Sequence, residues 1–379
     1  MRIAVAAPAQ EKPYRVLVSD DQPDVLEALR LLLKGQGWQA ITADSPAALL
    51  DLARAGGFDL ILSDLNYTRD TTSGREGMDL LAALEAQGNT TPVVVMTAWG
   101  NVDLAVEAMR RGACDFVQKP WDNNRLLATI RKQAEPSRQC RGELEIAANV
   151  QQKLFPRKTR RLATLDYAGH CLPAREVGGD YYDFLDTAPG TLGFILGDVS
   201  GKGVPAALLM ANLQACFRSQ PPEALAHPAG VLSAVNRHFF DSTAAEHFAT
   251  LVFAIYHDAA RRVRYANCAH CPPLLLRASG EVERLDSTAT MLGAFSQWEC
   301  AEAEAELRSG DTLLFYSDGV TEAGADSGDE YGETRLIHTL RANHSLPAEA
   351  LVEAIVADVN QFSAASRSDD VTVVALRGL

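Results

Sequence analysis

Residues Arg15–Asp21 read Arg-Val-Leu-Val-Ser-Asp-Asp. A short apolar, β-branched run that stops on two carboxylates reads as a strand with polar groups at its carboxyl end. Comparable runs recur at Ala40–Thr42, Leu60–Ser63, Val93–Met96 and Phe116–Gln118. Segments with helical spacing separate them: Val25–Leu33, Ala47–Ala53, Met78–Leu84, Val102–Met109 and Leu126–Ile130. Strand and helix in regular alternation predict an α/β, doubly wound, five-stranded parallel sheet. Ligands of such sheets sit beyond the carboxyl ends of the strands. Those ends carry Asp20 and Asp21, Asp64, Thr97, and Lys119 followed by Pro120. Three carboxylates together repel unless a cation holds them, and hard oxygen donors suit Mg²⁺. One carboxylate can then attack a phosphoryl group, with a hydroxyl and an ammonium neutralising its oxygens.

This set, over residues 13–133, resembles the flavodoxin-like receiver domain of two-component response regulators. The resemblance makes Asp64 the phosphoacceptor and assigns Mg²⁺ to Asp20, Asp21, Asp64 and the backbone carbonyl of Asn66. It gives Thr97 and Lys119 the phosphoryl oxygens, Phe116 the aromatic switch position, and Lys119-Pro120 a cis peptide. It implies a histidine kinase or phosphotransfer protein as partner. The segment Leu65–Gly77 is expected to be a longer loop than most receivers carry.

The whole chain has 379 residues, enough for two or three domains. Its charge is 35 − 49 = −14, and hydrophobic residues make up 47%. That composition argues against disorder and against general affinity for nucleic acid. No run of 18 or more apolar residues suggests a membrane span, and residues 1–12 read as a flexible tail without a signal peptide. The seven scattered cysteines fit a reducing cytoplasm. Cys268 and Cys271 form a C-x-x-C without the second pair that a zinc site needs.

Pro136 and Ser137 are expected to end the first unit. Beyond them Leu144, Ala147, Val150 and Leu154 fall on one helical face, followed by Lys153, Arg157, Lys158, Arg160 and Arg161. This linker, residues 134–165, is a solvated helix or a dimerising, signal-carrying one; its stripe is too short to define a coiled coil alone.

From residue 166 to 379 the pattern changes. Strand-like runs at Thr191–Leu196, Thr250–Tyr256, Arg262–Asn267, Pro273–Arg277, Thr312–Tyr316 and Val371–Leu376 accompany helical stretches at Pro205–Phe217, Ala229–Phe240 and Ala348–Val359. An antiparallel α+β domain is expected, with a Gly/Asp/Ser-rich loop at Ala323–Gly332. Four acidic segments stand out: Arg-Glu-Val-Gly-Gly-Asp-Tyr-Tyr-Asp-Phe at Arg175–Phe184, Gly-Asp-Val-Ser-Gly-Lys-Gly-Val at Gly197–Val204, Phe-Tyr-Ser-Asp-Gly-Val-Thr-Glu-Ala at Phe315–Ala323, and Ser-Asp-Asp-Val-Thr-Val-Val at Ser368–Val374. Acidic groups gathered at strand ends and glycine turns need cations, and two divalent ions make a phosphate-hydrolysis site. Gly197–Gly203 is one residue short of a P-loop, and no nucleophile elbow is present.

These segments, with Glu143–Pro156 before them, resemble the SpoIIE/RsbU-like branch of the metal-dependent, 2C-type protein phosphatases. The resemblance implies an antiparallel β-sandwich flanked by helices and two Mn²⁺ or Mg²⁺ ions. Asp198 would bridge the ions, with the Val199 carbonyl, Asp180, Asp318 and Asp369 as further ligands and catalytic residues. Asp370 ranks below Asp369, and Glu176, Asp183 and His270 are weaker candidates. Where relatives read Asn-Ala-Gly-His-Asn-Pro-Pro, Asn267–Pro273 reads Asn-Cys-Ala-His-Cys-Pro-Pro.

The expectation is a cytoplasmic, dimer-forming response regulator whose output is hydrolysis of phosphoserine or phosphothreonine. By family resemblance the substrate is an anti-anti-sigma (STAS-type) protein. The rivals are a pseudophosphatase that sequesters its partner and a DNA-binding regulator; no recognition helix supports the latter.

Overall fold

The computed structural model describes residues 13–67, 74–98, 102–156, 160–244, 246–325, 328–363 and 367–379. The expected tail, residues 68–73 of the Leu65–Gly77 loop, Arg157, Lys158, and Asp326 and Ser327 of the later loop lie outside the described residues. The chain divides into two compact units at Glu143.

The first unit runs β1 (Arg15–Ser19), α1 (Pro23–Gly35), β2 (Gln39–Ala43), α2 (Pro46–Ala55), β3 (Leu60–Asp64), α3 (Arg75–Ala86), β4 (Val93–Ala98), α4 (Val102–Arg110), β5 (Asp115–Lys119) and the first part of α5 (Asn123–Gln151), whose residues from Leu144 belong to the second unit. The sheet is parallel in the order β2-β1-β3-β4-β5. Successive strand residues face opposite ways. Leu17, Ile61, Val93 and Val95 therefore meet α2, α3 and α4, through Leu49, Leu81 and Ala108. Val16, Val18, Leu60, Leu62, Val94 and Met96 meet α1 and α5, through Leu29, Leu33, Leu126 and Ile130. Both faces are covered, which is why the strands read as unbroken apolar runs. The Lys119–Pro120 bond is cis, as expected.

Two expectations change here. Helix α3 starts at Arg75 rather than Met78, directly after Gly74, whose φ of 67° is in the left-handed region. The preceding loop is correspondingly shorter. Helix α5 does not stop at Pro136 but continues to Gln151 with the proline inside it. An interior proline costs about 3 kcal/mol. Distant partners offset it: Glu135 accepts from the Tyr14 hydroxyl, the Arg138 guanidinium lies 4.8 Å from the Tyr14 ring centroid, and Arg141 pairs with buried Asp59 while donating to Phe58 O at 3.1 Å.

The second unit contains β6 (Leu165–Leu172), β7 (Tyr181–Asp186), β8 (Thr191–Val199), α6 (Val204–Arg218), α7 (Pro222–Leu225), α8 (Pro228–Ser242), β9 (Ala249–His257), β10 (Arg262–Cys268), β11 (Leu274–Leu276), β12 (Val282–Arg284), β13 (Ala303–Glu306), β14 (Thr312–Tyr316), α9 (Asp318–Thr321), α10 (Gly332–Ala342), α11 (Ala348–Phe362) and β15 (Val371–Gly378). Its sheets, β13-β10-β9-β8-β7 and β12-β11-β14-β15-β6, pair antiparallel throughout. Tyr167, Phe184 and Phe194 interlock edge-to-face between them, with Phe315 and Leu376 in the same core. The opposite sides of the strands bury Ile195 and Phe253 under α6 and α8, and Leu314 and Val373 under α10 and α11. The result is a four-layer α/β/β/α sandwich. Among the described residues no helix is long and apolar enough to cross a membrane.

Candidate functional site

In the first unit β1 and β3 lie side by side, Ser19 opposite Ser63. The residues that follow converge: one carboxylate oxygen from each of Asp20, Asp21 and Asp64 lies within 4.8 Å of the others. Lys119, at the end of β5, holds its Nζ 2.6 Å from Asp20 Oδ2 and 2.7 Å from Asp64 Oδ2. Burial raises the Asp64 pKa; Lys119 opposes that rise and the Asp20 charge adds to it. Thr97, one residue from the end of β4, has a buried Oγ1 without a partner. An orphaned hydroxyl and a three-carboxylate nest fit a phosphoryl group beside an oxygen-loving cation. Asn66 Oδ1 accepts from Gly74 N at 2.8 Å, closing the loop. Phe116, on β5, is partly buried against the core of the α2–α4 face. Tyr67 donates to Ser19 Oγ at 2.8 Å and lies 3.0 Å from Ser63 Oγ, tying together the residues before Asp20 and Asp64.

In the second unit the acidic residues come from four places. Asp180 immediately precedes β7, and Asp198 is the next-to-last residue of β8. The pairing of Tyr181 with Gly197 brings these two together. Asp318 opens α9 one residue beyond the end of β14, and Asp369 and Asp370 lead into β15, the neighbour of β14. Asp180 is 2% exposed, and its pKa is raised well above normal by burial and then by the charges of Asp198 and Asp370. Asp198 is pushed up to about 7 by burial, then by Asp318, Asp369 and Asp370. Asp318 is raised by burial and by Asp369. Groups that destabilise one another's ionised forms in this way await positive charge.

Two glycines let the acidic loops close. A Cβ on Gly179 would stand 2.7 Å from the Val199 carbonyl oxygen and 3.3 Å from Asp198 Oδ1. A Cβ on Gly319 would stand 2.1 Å from Asp370 O and 3.2 Å from Asp369 Cβ. The cradle around Val199 O, Asp198 and Asp180 is all oxygen, the donor set that hard divalent ions take. This set is more open than the receiver trio: among the described residues only Asp20, Asp21 and Asp64 meet the 4.8 Å spacing. Ligands divided between two ions several ångströms apart need no such convergence.

Asp370 and two of the weaker candidates are placed differently. Asp370 is no free ligand. Its Oδ1 accepts from Ala174 N at 2.7 Å, and its Oδ2 accepts from Gly179 N at 2.7 Å and Asp180 N at 3.3 Å. The carboxylate is a clamp on the loop that carries Asp180. Asp183 is 0% exposed and pairs in a fork with Arg218, Nε to Oδ2 at 2.7 Å, while Tyr181 donates to it at 2.7 Å. It faces α6 and serves that ion pair. Glu176 is exposed.

His270 is buried, with Nδ1 2.8 Å from Thr250 Oγ1 and Nε2 without a partner. Thr250 lies opposite Asp198 in the β8–β9 register. Burial lowers the His270 pKa to about 4, so the ring is neutral. The Cys271 thiol is pushed up to about 12 by burial and by Asp318, while Cys268 interacts with Cys300 rather than with Cys271.

Three contributors were missed in the sequence. Thr372 donates its hydroxyl to Asp180 Oδ2. Gln151, the last residue of α5, exchanges two hydrogen bonds with the Gly178 backbone. Lys202 pairs with Asp369, Nζ to Oδ2 at 2.9 Å. Thr372 and Lys202 stood inside segments already singled out for their acids, which was the available signal.

Residues 188–378 match the sequence profile of the stage II sporulation protein E (SpoIIE) family, and residues 16–131 match the response regulator receiver domain. The chain is 30% identical over 241 residues to the phosphoserine phosphatase RsbU of Bacillus subtilis, covering 63% of this chain and 71% of that protein. It is 35% identical over 147 residues to the transcriptional regulatory protein FixJ of Bradyrhizobium diazoefficiens, covering 38% and 69%. The solved SiaA-PP2C domain of Pseudomonas aeruginosa shares the fold of the second unit, with a TM-score of 0.55 at 20% identity over 64% of this chain and 99% of that one.

Fold and site together define a metal-dependent, PP2C-type phosphatase joined to a response-regulator receiver. The chain belongs to the SpoIIE family, in a form that carries its own receiver domain.

Proposed function

We propose that this protein hydrolyses phosphoserine or phosphothreonine on a partner protein, and that phosphorylation of Asp64 controls the rate. The observation that carries the reading is Asp198 at the end of β8, charge-coupled to Asp318 and Asp369 and beside buried Asp180. That RsbU is a phosphoserine phosphatase supports the substrate class.

Asp180, Asp198, Asp318, Asp369 and the Val199 carbonyl would hold two Mn²⁺ or Mg²⁺ ions. Bound there, such ions supply an acidified water as nucleophile and screen phosphoryl charge. Thr372 and Asp370 hold Asp180 in place, and His270 fixes Thr250 next to Asp198. In the receiver, Asp20, Asp21, Asp64 and the Asn66 carbonyl would hold Mg²⁺. Thr97 and Lys119 receive the phosphoryl oxygens, and Phe116 responds as the switch aromatic. A histidine kinase or phosphotransfer protein supplies the phosphoryl group.

The partner we favour is a phosphorylated anti-anti-sigma (STAS-type) protein in the cytoplasm, with no contact between this chain and DNA. Ile146 and Val150, four residues apart on α5, are 65% and 55% exposed, which supports a homodimer through that helix.

The test is turnover on co-expressed phosphorylated STAS proteins by wild type and Asp64→Ala, with and without a small phosphodonor. A phosphodonor effect in wild type that Asp64→Ala abolishes is expected. Unchanged wild-type turnover would defeat the coupling, and no phosphate release from any phosphoprotein would defeat the enzymatic reading.

A further inference from the structure

Lys202 lies in the loop between β8 and α6, four residues after Asp198. Glycines flank it, Gly201 at φ 102° and Gly203 at φ 71°. Both are left-handed positions that a side chain would strain, so glycine is what lets the loop take this course. Along that course the Lys202 ammonium reaches the lead-in to β15, donating to Ser368 O at 2.7 Å and standing 2.9 Å from Asp369 Oδ2. The side chain is 49% exposed. A pair that open is worth at most about 1 kcal/mol, so stability does not explain it. An ammonium has three hydrogens; two meet these oxygens and the third is left for an acceptor at the mouth of the acidic cradle.

Charge balance says what that acceptor is. Asp180, Asp198, Asp318, Asp369 and Asp370 contribute five negative charges, which two divalent ions and the Lys202 ammonium together cancel. A phosphomonoester then brings a charge of about −1.5 to −2. Lys202 is the cation paired with this cluster among the described residues, and Arg175 stands near it, its Nη1 3.8 Å from where a Cβ on Gly203 would be.

We propose that Lys202 is a catalytic residue: its ammonium donates to a non-bridging phosphoryl oxygen of the substrate and offsets the charge that gathers there in the transition state. The inference rests on the phosphatase reading of the site. In the reaction the water oxygen forms the new bond to phosphorus as the bond from phosphorus to the serine or threonine oxygen breaks. Overall one water proton passes to that oxygen and inorganic phosphate leaves; Lys202 keeps its three hydrogens throughout.

The test uses the full chain as wild type, Lys202→Met and Lys202→Arg. It measures kcat and KM on p-nitrophenyl phosphate at saturating Mn²⁺, and Mn²⁺ and inorganic phosphate affinities by calorimetry. Lys202→Met should lower kcat/KM by about tenfold to a hundredfold, at or below the low end for one lost transition-state donor because Lys202 is half exposed, and weaken phosphate binding to the Mn²⁺-loaded protein. Lys202→Arg should recover part of both, and Mn²⁺ affinity should stay within about threefold, less than a kcal/mol. Unchanged kcat/KM and phosphate affinity in Lys202→Met would overturn the proposal. So would Mn²⁺ binding tightened about tenfold with turnover intact, because Lys202 would then be competing with metal. Lys202-dependent phosphate binding without wild-type turnover would count against the phosphatase reading and leave the phosphoryl contact standing.

Discussion

Gln151 and Gly178 bond one another in both directions: Nε2 donates to Gly178 O at 2.7 Å, and Gly178 N donates to Oε1 at 3.1 Å. Gln151 is 6% exposed and ends α5; Gly178 stands two residues before Asp180. The end of α5, which belongs to the second unit, thus holds the loop that carries Asp180.

Gln151→Ala leaves a buried N–H and C=O without partners, at a cost of about 1–3 kcal/mol each. Its melting temperature should fall by several degrees, and Mn²⁺-dependent phosphate release should drop with it. Full turnover in a less stable variant would make Gln151 a structural residue only.

Asp370→Ala removes the acceptor of three backbone N–H groups, those of Ala174, Gly179 and Asp180. The Asp180 loop should loosen, with loss of stability and weaker Mn²⁺ binding measured by calorimetry. An Asp183→Ala variant should instead lose stability by about 1–3 kcal/mol, because the buried Tyr181 hydroxyl loses its acceptor while half-exposed Arg218 turns to water, and keep its Mn²⁺ affinity.

The raised Asp198 pKa, about 7, fixes a pH dependence for the metal-free protein. The folded state holds this proton more tightly than the unfolded chain, so stability falls as pH rises between about 4 and 7. Thermal melts at pH 5 and pH 8 without metal should show the loss, and Asp198→Asn should flatten it while abolishing turnover. Mn²⁺ should restore stability at pH 8, and its apparent affinity should weaken below pH 7.

Gly179→Ala places a methyl 2.7 Å from a backbone carbonyl that cannot swing aside as a side-chain tip would. It should fold with a displaced Asp180 loop and lose most Mn²⁺ affinity. Gly190→Ala, where no atom lies within 4 Å but φ is 76°, should cost a little stability and no metal binding.

The receiver was legible because its chemistry sits at strand ends, and each strand announces itself locally. Asp20, Asp64, Thr97 and Lys119 needed no knowledge of distant contacts. The role of Asp370 did need it, because the amides it holds lie about 190 residues earlier. Asp183 looked like a metal ligand for the same reason, with Arg218 on another element. Pro136 is a helix breaker on local rules; Tyr14 and Asp59, from the other end of the receiver, reverse that outcome. Strands β6 and β7 escaped notice because Asp166, His170 and Asp183 interrupt their apolar residues.

Strand β15 lies between β14 and β6, and Val371 pairs with Leu172, some 200 residues upstream. Asp369 and Asp370 arrive on that strand. During synthesis the ribosome delivers Asp180 and Asp198 with one sheet and Asp318 with the other, which still has a gap. On the metal site proposed above, hydrolytic competence is therefore a late-born property: a nascent chain can complete its receiver and most of its sandwich before the last carboxylates of that site arrive on one inner strand.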